Sequence, residues 1–145
     1  MRESIITKMT IGVMGLVLLA GCGMLGGEKG PSPEDLINAA LDDFRAGIET
    51  KDVDKLMSCI SEDFNHYEWG GKANLRLFIE DVMSQGNLDN GEIGVEQAEI
   101  EFDGDEAVVY PVDLSAAFGT ATIEFTFKKE SDGAWRVVGM DISGI

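Results

Sequence analysis

A single α+β domain, with three N-terminal helices packed on a curved antiparallel sheet, is what this sequence predicts. Three observations carry the prediction. Apolar residues recur at helical spacing up to about Gln85 and at alternate positions beyond it. The alternating segments are joined by short turn-like links, Asp103-Gly104-Asp105, Gly119 and Ser131-Asp132-Gly133, which suit antiparallel neighbours. The alternation also slips phase within the long segments, as it does where a strand bulges and bends. Helices followed by a meander place the helices on one face of the sheet. At 145 residues the chain can bury one ordinary core. Its 44% hydrophobic and 26% charged residues are the balance of a folded chain.

Ahead of the domain lies a segment of another character. Arg2 and Lys8 precede an apolar run, Met9 to Ala20, interrupted only by Thr10. Twelve helical residues rise about 18 Å, short of the roughly 30 Å hydrocarbon core of a bilayer. A positive start, a short apolar stretch and a small-residue exit are the grammar of a secretory signal. The order Leu19-Ala20-Gly21-Cys22 resembles the lipobox of bacterial lipoproteins. That resemblance implies cleavage before Cys22, a diacylglycerol on its thiol, and an acyl chain such as palmitate on its new amine. Residues 1–21 are then a signal peptide, 22–32 a lipidated cysteine with a flexible tether, and 33–145 the domain. The alternative is an uncleaved anchor or a chance cysteine. Two or more acyl chains hold stably to a membrane where one holds only weakly. The implied location is extracytoplasmic and lipid-anchored. Gly23, where an Asp would signal retention, points to the outer membrane in an organism with two. Gly23 to Ser32 is glycine-rich and spans at most about 35 Å, so the domain stays near its membrane.

The formal charge of −16 excludes nucleic acid as a partner, because that binding needs Lys and Arg against phosphates. It also disfavours adhesion to anionic lipid by charge, so membrane attachment has to be covalent or hydrophobic. Removing Arg2, Lys8 and Glu3 with the signal takes the charge to −17. With Cys22 lipidated, Cys59 is the one free thiol. It sits in the apolar patch Leu56-Met57-Ser58-Cys59-Ile60 and reads as a buried structural cysteine. No His or second Cys is spaced to hold zinc with it, and no acid cluster has the spacing of a calcium loop. No metal or cofactor is expected.

The first helix begins at Ser32-Pro33-Glu34-Asp35, a cap, a first-turn proline and two acids that complement the helix dipole. Ile37, Ala40, Leu41, Phe44 and Ile48 share a face. Asp52 caps a shorter helix with Val53, Leu56, Met57 and Ile60 inward. Asp63 to Trp69 is extended in character and Gly70-Gly71 breaks it. A third helix runs from about Lys72 to Gln85, with Leu75, Phe78, Ile79, Val82 and Met83 in one stripe, and Gly86 ends it. Strands follow at Glu92–Phe102, Glu106–Phe118, Thr120–Glu130 and Ala134–Ile142. The first slips phase at Glu96-Gln97. In the second, Val108, Tyr110, Val112, Leu114 and Phe118 read as one face, and Pro111 demands a bulge or a missing ladder bond. In the third Ile123, Phe125 and Phe127 share a face. The fourth slips from Trp135 and Val137 to Val138, Met140 and Ile142.

Three local cues, Lys51-Asp52-Val53-Asp54, Ser61-Glu62-Asp63-Phe64 and Asp132-Gly133-Ala134-Trp135-Arg136-Val137, resemble in order and spacing the nuclear transport factor 2-like superfamily, particularly its SnoaL-like bacterial branches. The resemblance covers roughly residues 33–145. It implies a cone-like α+β barrel whose curled sheet wraps the helices and leaves a pocket at its open end. Members include isomerases, dehydratases, cyclases and non-catalytic binding modules, so activity has to be argued from residues.

His66, the only histidine, lies in Asn65-His66-Tyr67-Glu68-Trp69. Strand alternation places His66 and Glu68 on one side, a candidate base with its orienting carboxylate. Aligned by the cues above, Glu68 falls at the general base of the ketosteroid-isomerase branch. Phe44 falls where that branch keeps an oxyanion-binding Tyr. A phenyl ring donates no hydrogen bond, and one lost oxyanion donor typically removes about 10²–10³ in rate. The dehydratase branch needs more than one His. Neither catalytic template is complete. Phe44, Tyr67, Trp69, Tyr110 and Phe125 are the expected pocket lining. Three readings stand: a membrane-anchored module binding a small apolar ligand or an envelope protein, an isomerase, dehydratase or hydrolase using His66 and Glu68, and a structural domain dimerising through its sheet.

Overall fold

Ser32 starts the first helix, α1 (Pro33–Thr50), through a reciprocal cap. Its hydroxyl accepts from the Asp35 N–H at 3.1 Å, and the Asp35 carboxylate accepts from the Ser32 N–H at 3.0 Å. Those bonds hold the Asp35 carboxyl below its ordinary acidity range. One stripe of α1 is buried, Ile37, Leu41, Phe44 and Ile48 foremost. Each large apolar side chain so buried contributes about 1.5–3 kcal/mol. Gly47 completes the stripe for a steric reason. A Cβ there would lie 2.6 Å from Leu56 Cβ and 2.7 Å from the Leu56 nitrogen, so only glycine lets the next helix approach.

That helix, α2 (Val53–Met57), is capped by Asp52, whose side chain accepts from the Lys55 N–H. It ends earlier than its apolar pattern. Ile60 is buried, but in a parallel bridge to Val137 rather than in a helical turn. The residues Asp63 to Trp69 do not simply stop at the glycine pair. Asn65–His66 (β1) and Gly70–Gly71 (β2) form a two-stranded hairpin, in which Gly70 takes φ +77°. The third helix, α3 (Lys72–Ser84), buries Leu75 and Ile79.

The computed structural model describes residues 30–145, and Ser32–Ile145 form a compact unit. The expected cleavage and lipidation at Cys22 lie outside the described residues. Among those residues no helix is long and apolar enough to cross a membrane.

The remaining strands are β3 (Glu92–Gly94), β4 (Glu99–Asp103), β5 (Glu106–Ala116), β6 (Gly119–Lys129) and β7 (Trp135–Ser143). They make one antiparallel sheet, with β3 and β4 end to end along β5, then β6, then β7. The expected first strand is thus two, parted by a turn in which the Ala98 N–H donates to the Val95 carbonyl. A phase slip of one residue is what a bulge and a break both leave in a sequence. On β5 the bulge is at Tyr110-Pro111: Val109 faces Phe125 and Val112 faces Ile123, so two residues oppose Glu124 alone. This bulge corrects the expected inward face. Ala107 and Val109 are buried before it and Val112 and Leu114 after it, while Tyr110 is 49% exposed. The fourth strand slips where its pattern predicts: Val138 is the extra residue between Val137, opposite Phe127, and Gly139, opposite Thr126. The outer edge of β7 is covered at Val137, which accepts from the Ser61 N–H and donates to the Cys59 carbonyl.

Candidate functional site

The inward side chains of β6 shrink along the strand, from Phe127 and Phe125 to Ile123 and Ala121. At the phenylalanine end the interior is filled. Phe125 and Phe127 are fully buried, and Trp135 packs edge-on against Phe102 at 5.6 Å. At the alanine end the same sheet leaves a cavity of about 220 Å³. Its sheet side is Leu114, Ala121, Ile123, Met140 and Ile142, with Phe118 beside the β5–β6 turn. Its helix side is Phe44 and Ile48 of α1, Leu56 of α2, and Leu75, Phe78, Ile79 and Val82 of α3. Trp69, Leu88 and Ile145 also reach it, and among the described residues Asn87 is the one polar residue in the lining. A second hollow of about 330 Å³ lies between the first half of α1 and β4, with Glu34, Asn38 and Glu99 among its walls.

Two of the expected lining residues, Phe44 and Trp69, are at the cavity. Three are not. Tyr67 is 82% exposed and Tyr110 points outward because of the bulge beside it. Phe125 lies one layer deeper, with Phe44 standing edge-on to it at 5.0 Å. The residues that sequence reading missed are mainly aliphatic ones spread over the three helices and strands β5 to β7. Their spacing marked them as core, and nothing in it separates a residue that fills from one that lines.

His66 and Glu68 are not brought together at the cavity. Glu68 is exposed and neither residue is in the lining. His66 is buried, and its Nδ1 accepts from the N–H groups of Glu68 at 3.0 Å and Trp69 at 3.3 Å. The Nδ1 lone pair, one that a general base could use, is therefore committed to the turn. The ring stacks on Tyr67 at 4.4 Å and on Trp69 at 3.9 Å, and Trp69 stacks in turn on Phe78 at 4.6 Å. His66 therefore holds up a wall of the cavity from behind.

Charged groups gather elsewhere. Arg136 donates to Glu130 and Asp132, and the buried Ser61 hydroxyl donates to Glu130 at 2.7 Å. The Arg136 and Ser61 hydrogen bonds keep the Glu130 carboxyl below its ordinary range. Burial, with Asp43 adding repulsion, pushes the Cys59 thiol up to about 12. Its Sγ–H donates to the Leu56 carbonyl at 3.1 Å. Among the described residues no cluster of His, Cys, Asp and Glu could hold a metal ion.

The sequence matches no family model and no curated protein. Solved structures do resemble the fold. A protein of unknown function with a cystatin-like fold from Nostoc punctiforme superposes with a TM-score of 0.62 at 18% identity, over 79% of this chain and 93% of that one. A nuclear transport factor 2-like protein of unknown function from Pseudomonas putida gives 0.63 at 13% identity, over 75% and 84%. A candidate dehydratase of the same family from Streptomyces avermitilis gives 0.61 at 16% identity, over 79% and 99%. The chain therefore has a nuclear transport factor 2-like fold, with helices packed on a curved antiparallel sheet.

Proposed function

We propose that this protein is a lipid-anchored, extracytoplasmic binding module that takes a small apolar ligand without transforming it. The observation that carries this reading is the cavity of about 220 Å³ with Asn87 as the single polar residue in its lining. Small-molecule sites are mostly apolar with a few placed polar groups. Catalysis by acid and base needs titratable side chains within reach of the bound molecule, and among the described residues none is in the lining. The His66 lone pair is taken by backbone, and Glu68 faces solvent. The anchor reading rests on the Leu19-Ala20-Gly21-Cys22 order. Sheet-to-sheet dimerisation has less in its favour. The outer face carries Glu99, Glu101, Asp113, Glu124 and Asp141, with Glu124 directly opposite Asp141, and like charges so placed repel.

Two measurements test the proposal. Protein extracted from its native membrane and analysed by native mass spectrometry should retain a small apolar molecule, which Ala121→Phe should abolish. A bare mass in both proteins overturns the binding role. Incorporation of labelled fatty acid should disappear in Cys22→Ala, and undiminished labelling overturns the anchor.

A further inference from the structure

The chemistry of the cavity wall narrows the ligand further. We infer that the cavity selects a short, uncharged aliphatic molecule bearing one hydroxyl or similar group, and discriminates against the matching carboxylate. This rests on the binding role proposed above.

Charge comes first. Among the described residues no Lys, Arg, His, Asp or Glu is in the lining. The basic side chains of the helical half are paired: Arg45 with Asp42, Lys51 with Asp89, Lys55 with Asp43, Lys72 with Glu62, and Arg76 with Asp54 and Glu80. A carboxylate drawn into this space meets no cation, and an unpaired buried charge is strongly disfavoured. Hydrogen bonding comes second. The Asn87 backbone is fully used, its N–H donating to the Val82 carbonyl and its carbonyl accepting from the Phe118 N–H. Its side-chain amide has one weak partner, Nδ2 to Gln85 Oε1 at 3.4 Å. Among the described residues Asn87 Oδ1 has no hydrogen-bond partner, and an amide oxygen has two lone pairs to offer a hydroxyl. Shape comes third. The Trp69 indole already stacks on His66 at 3.9 Å and on Phe78 at 4.6 Å, so an aromatic ligand would compete with side chains stacked there. The volume of about 220 Å³ falls below the roughly 300–1,000 Å³ of most small-molecule pockets. It equals about seven groups the size of a water at roughly 30 Å³ each, which suits a chain such as 1-hexanol.

The test is a nuclear magnetic resonance titration of the full chain, read at the Trp69 indole and the Met140 methyl. The probes are xenon, 1-hexanol and hexanoate at about pH 8, where a carboxylic acid is ionised. Xenon and 1-hexanol should both shift these signals, and hexanoate should bind at least about ten-fold more weakly. Asn87→Ala should weaken 1-hexanol about five-fold while leaving xenon unchanged. If neither xenon nor 1-hexanol shifts the signals, the binding role itself falls. If xenon binds but hexanoate matches 1-hexanol, or Asn87→Ala leaves 1-hexanol unaffected, the ligand class is wrong while the cavity stands.

Discussion

The two ends of one sheet make opposite use of the same alternation. At the end of Phe125, Phe127, Val137 and Trp135 the inward positions are occupied to the limit, and the helices rest on them. At the end of Ala121, Ile123, Met140 and Ile142 the inward positions are smaller, and the helices span a gap. Interiors are close-packed by default. A gap lined by well-ordered aliphatic residues is thus a feature of residue size, set here by the taper from Phe to Ala along β6. The filled end supplies stability so that the open end can stay empty of protein.

The comparison breaks most visibly at Cys59. It sits at the filled end, hydrogen-bonded through its carbonyl to Val137, and its thiol is raised from 9.0 to about 12. At neutral pH the thiol therefore carries far less thiolate than an exposed one. Iodoacetamide should leave Cys59 unmodified in the native protein and react once the chain is unfolded in urea. The sign of the linkage follows. The folded state favours the neutral thiol, so this contribution to stability is whole below pH 9.0 and erodes as pH rises towards about 12. Rapid native alkylation would show that the filled end is not closed.

Phe125→Ala comes next. It should cost about 3–5 kcal/mol in denaturant unfolding, because a fully buried ring leaves a void between α1 and the sheet. A loss below about 1 kcal/mol would mean the two ends are packed alike. His66→Ala tests the wall of the open end. Removing the acceptor of two backbone N–H groups and a ring stacked on Tyr67 and Trp69 should cost on the order of 2 kcal/mol. It should also red-shift the Trp69 emission. The smallest expected effect is at Ala121→Leu, which adds side chain to the gap. Stability should rise by roughly 0.5–1 kcal/mol, and binding of xenon should be lost. A destabilised variant would show that the gap is already filled.

Much of this was legible in order along the chain. Ser32, Asp52 and Gly86 mark helix ends by chemistry that acts locally, and they mark them correctly. Pro111 announced the β5 bulge, because a missing N–H cannot be hidden in a ladder. What failed was counting phase through that bulge, which turned Val108 and Tyr110 inward on paper. The Val95–Ala98 turn and the Gly70–Gly71 strand failed for a related reason: pairing partners are far away in sequence, and only they distinguish a bend from a break. The site was legible at Phe44 and Trp69 and opaque elsewhere. Whether an apolar side chain fills or lines depends on what faces it across the interior. Ala121, small among bulky neighbours on one face, was the available signal.

One detail of the sheet has a geometric consequence. Between matching rungs β5 spends one more residue than β6 at Tyr110-Pro111, and β7 spends one more at Val138. The middle strand is therefore the shortest path between two longer flanks, by about 3.3 Å on each side. Three ribbons fastened rung to rung with unequal lengths must buckle, and the shorter one sets the inside of the curve. Deleting Val138 would leave Val137, Met140 and Ile142 in simple alternation on their present side. It would shorten β7 by one residue against β6 and should flatten the sheet there.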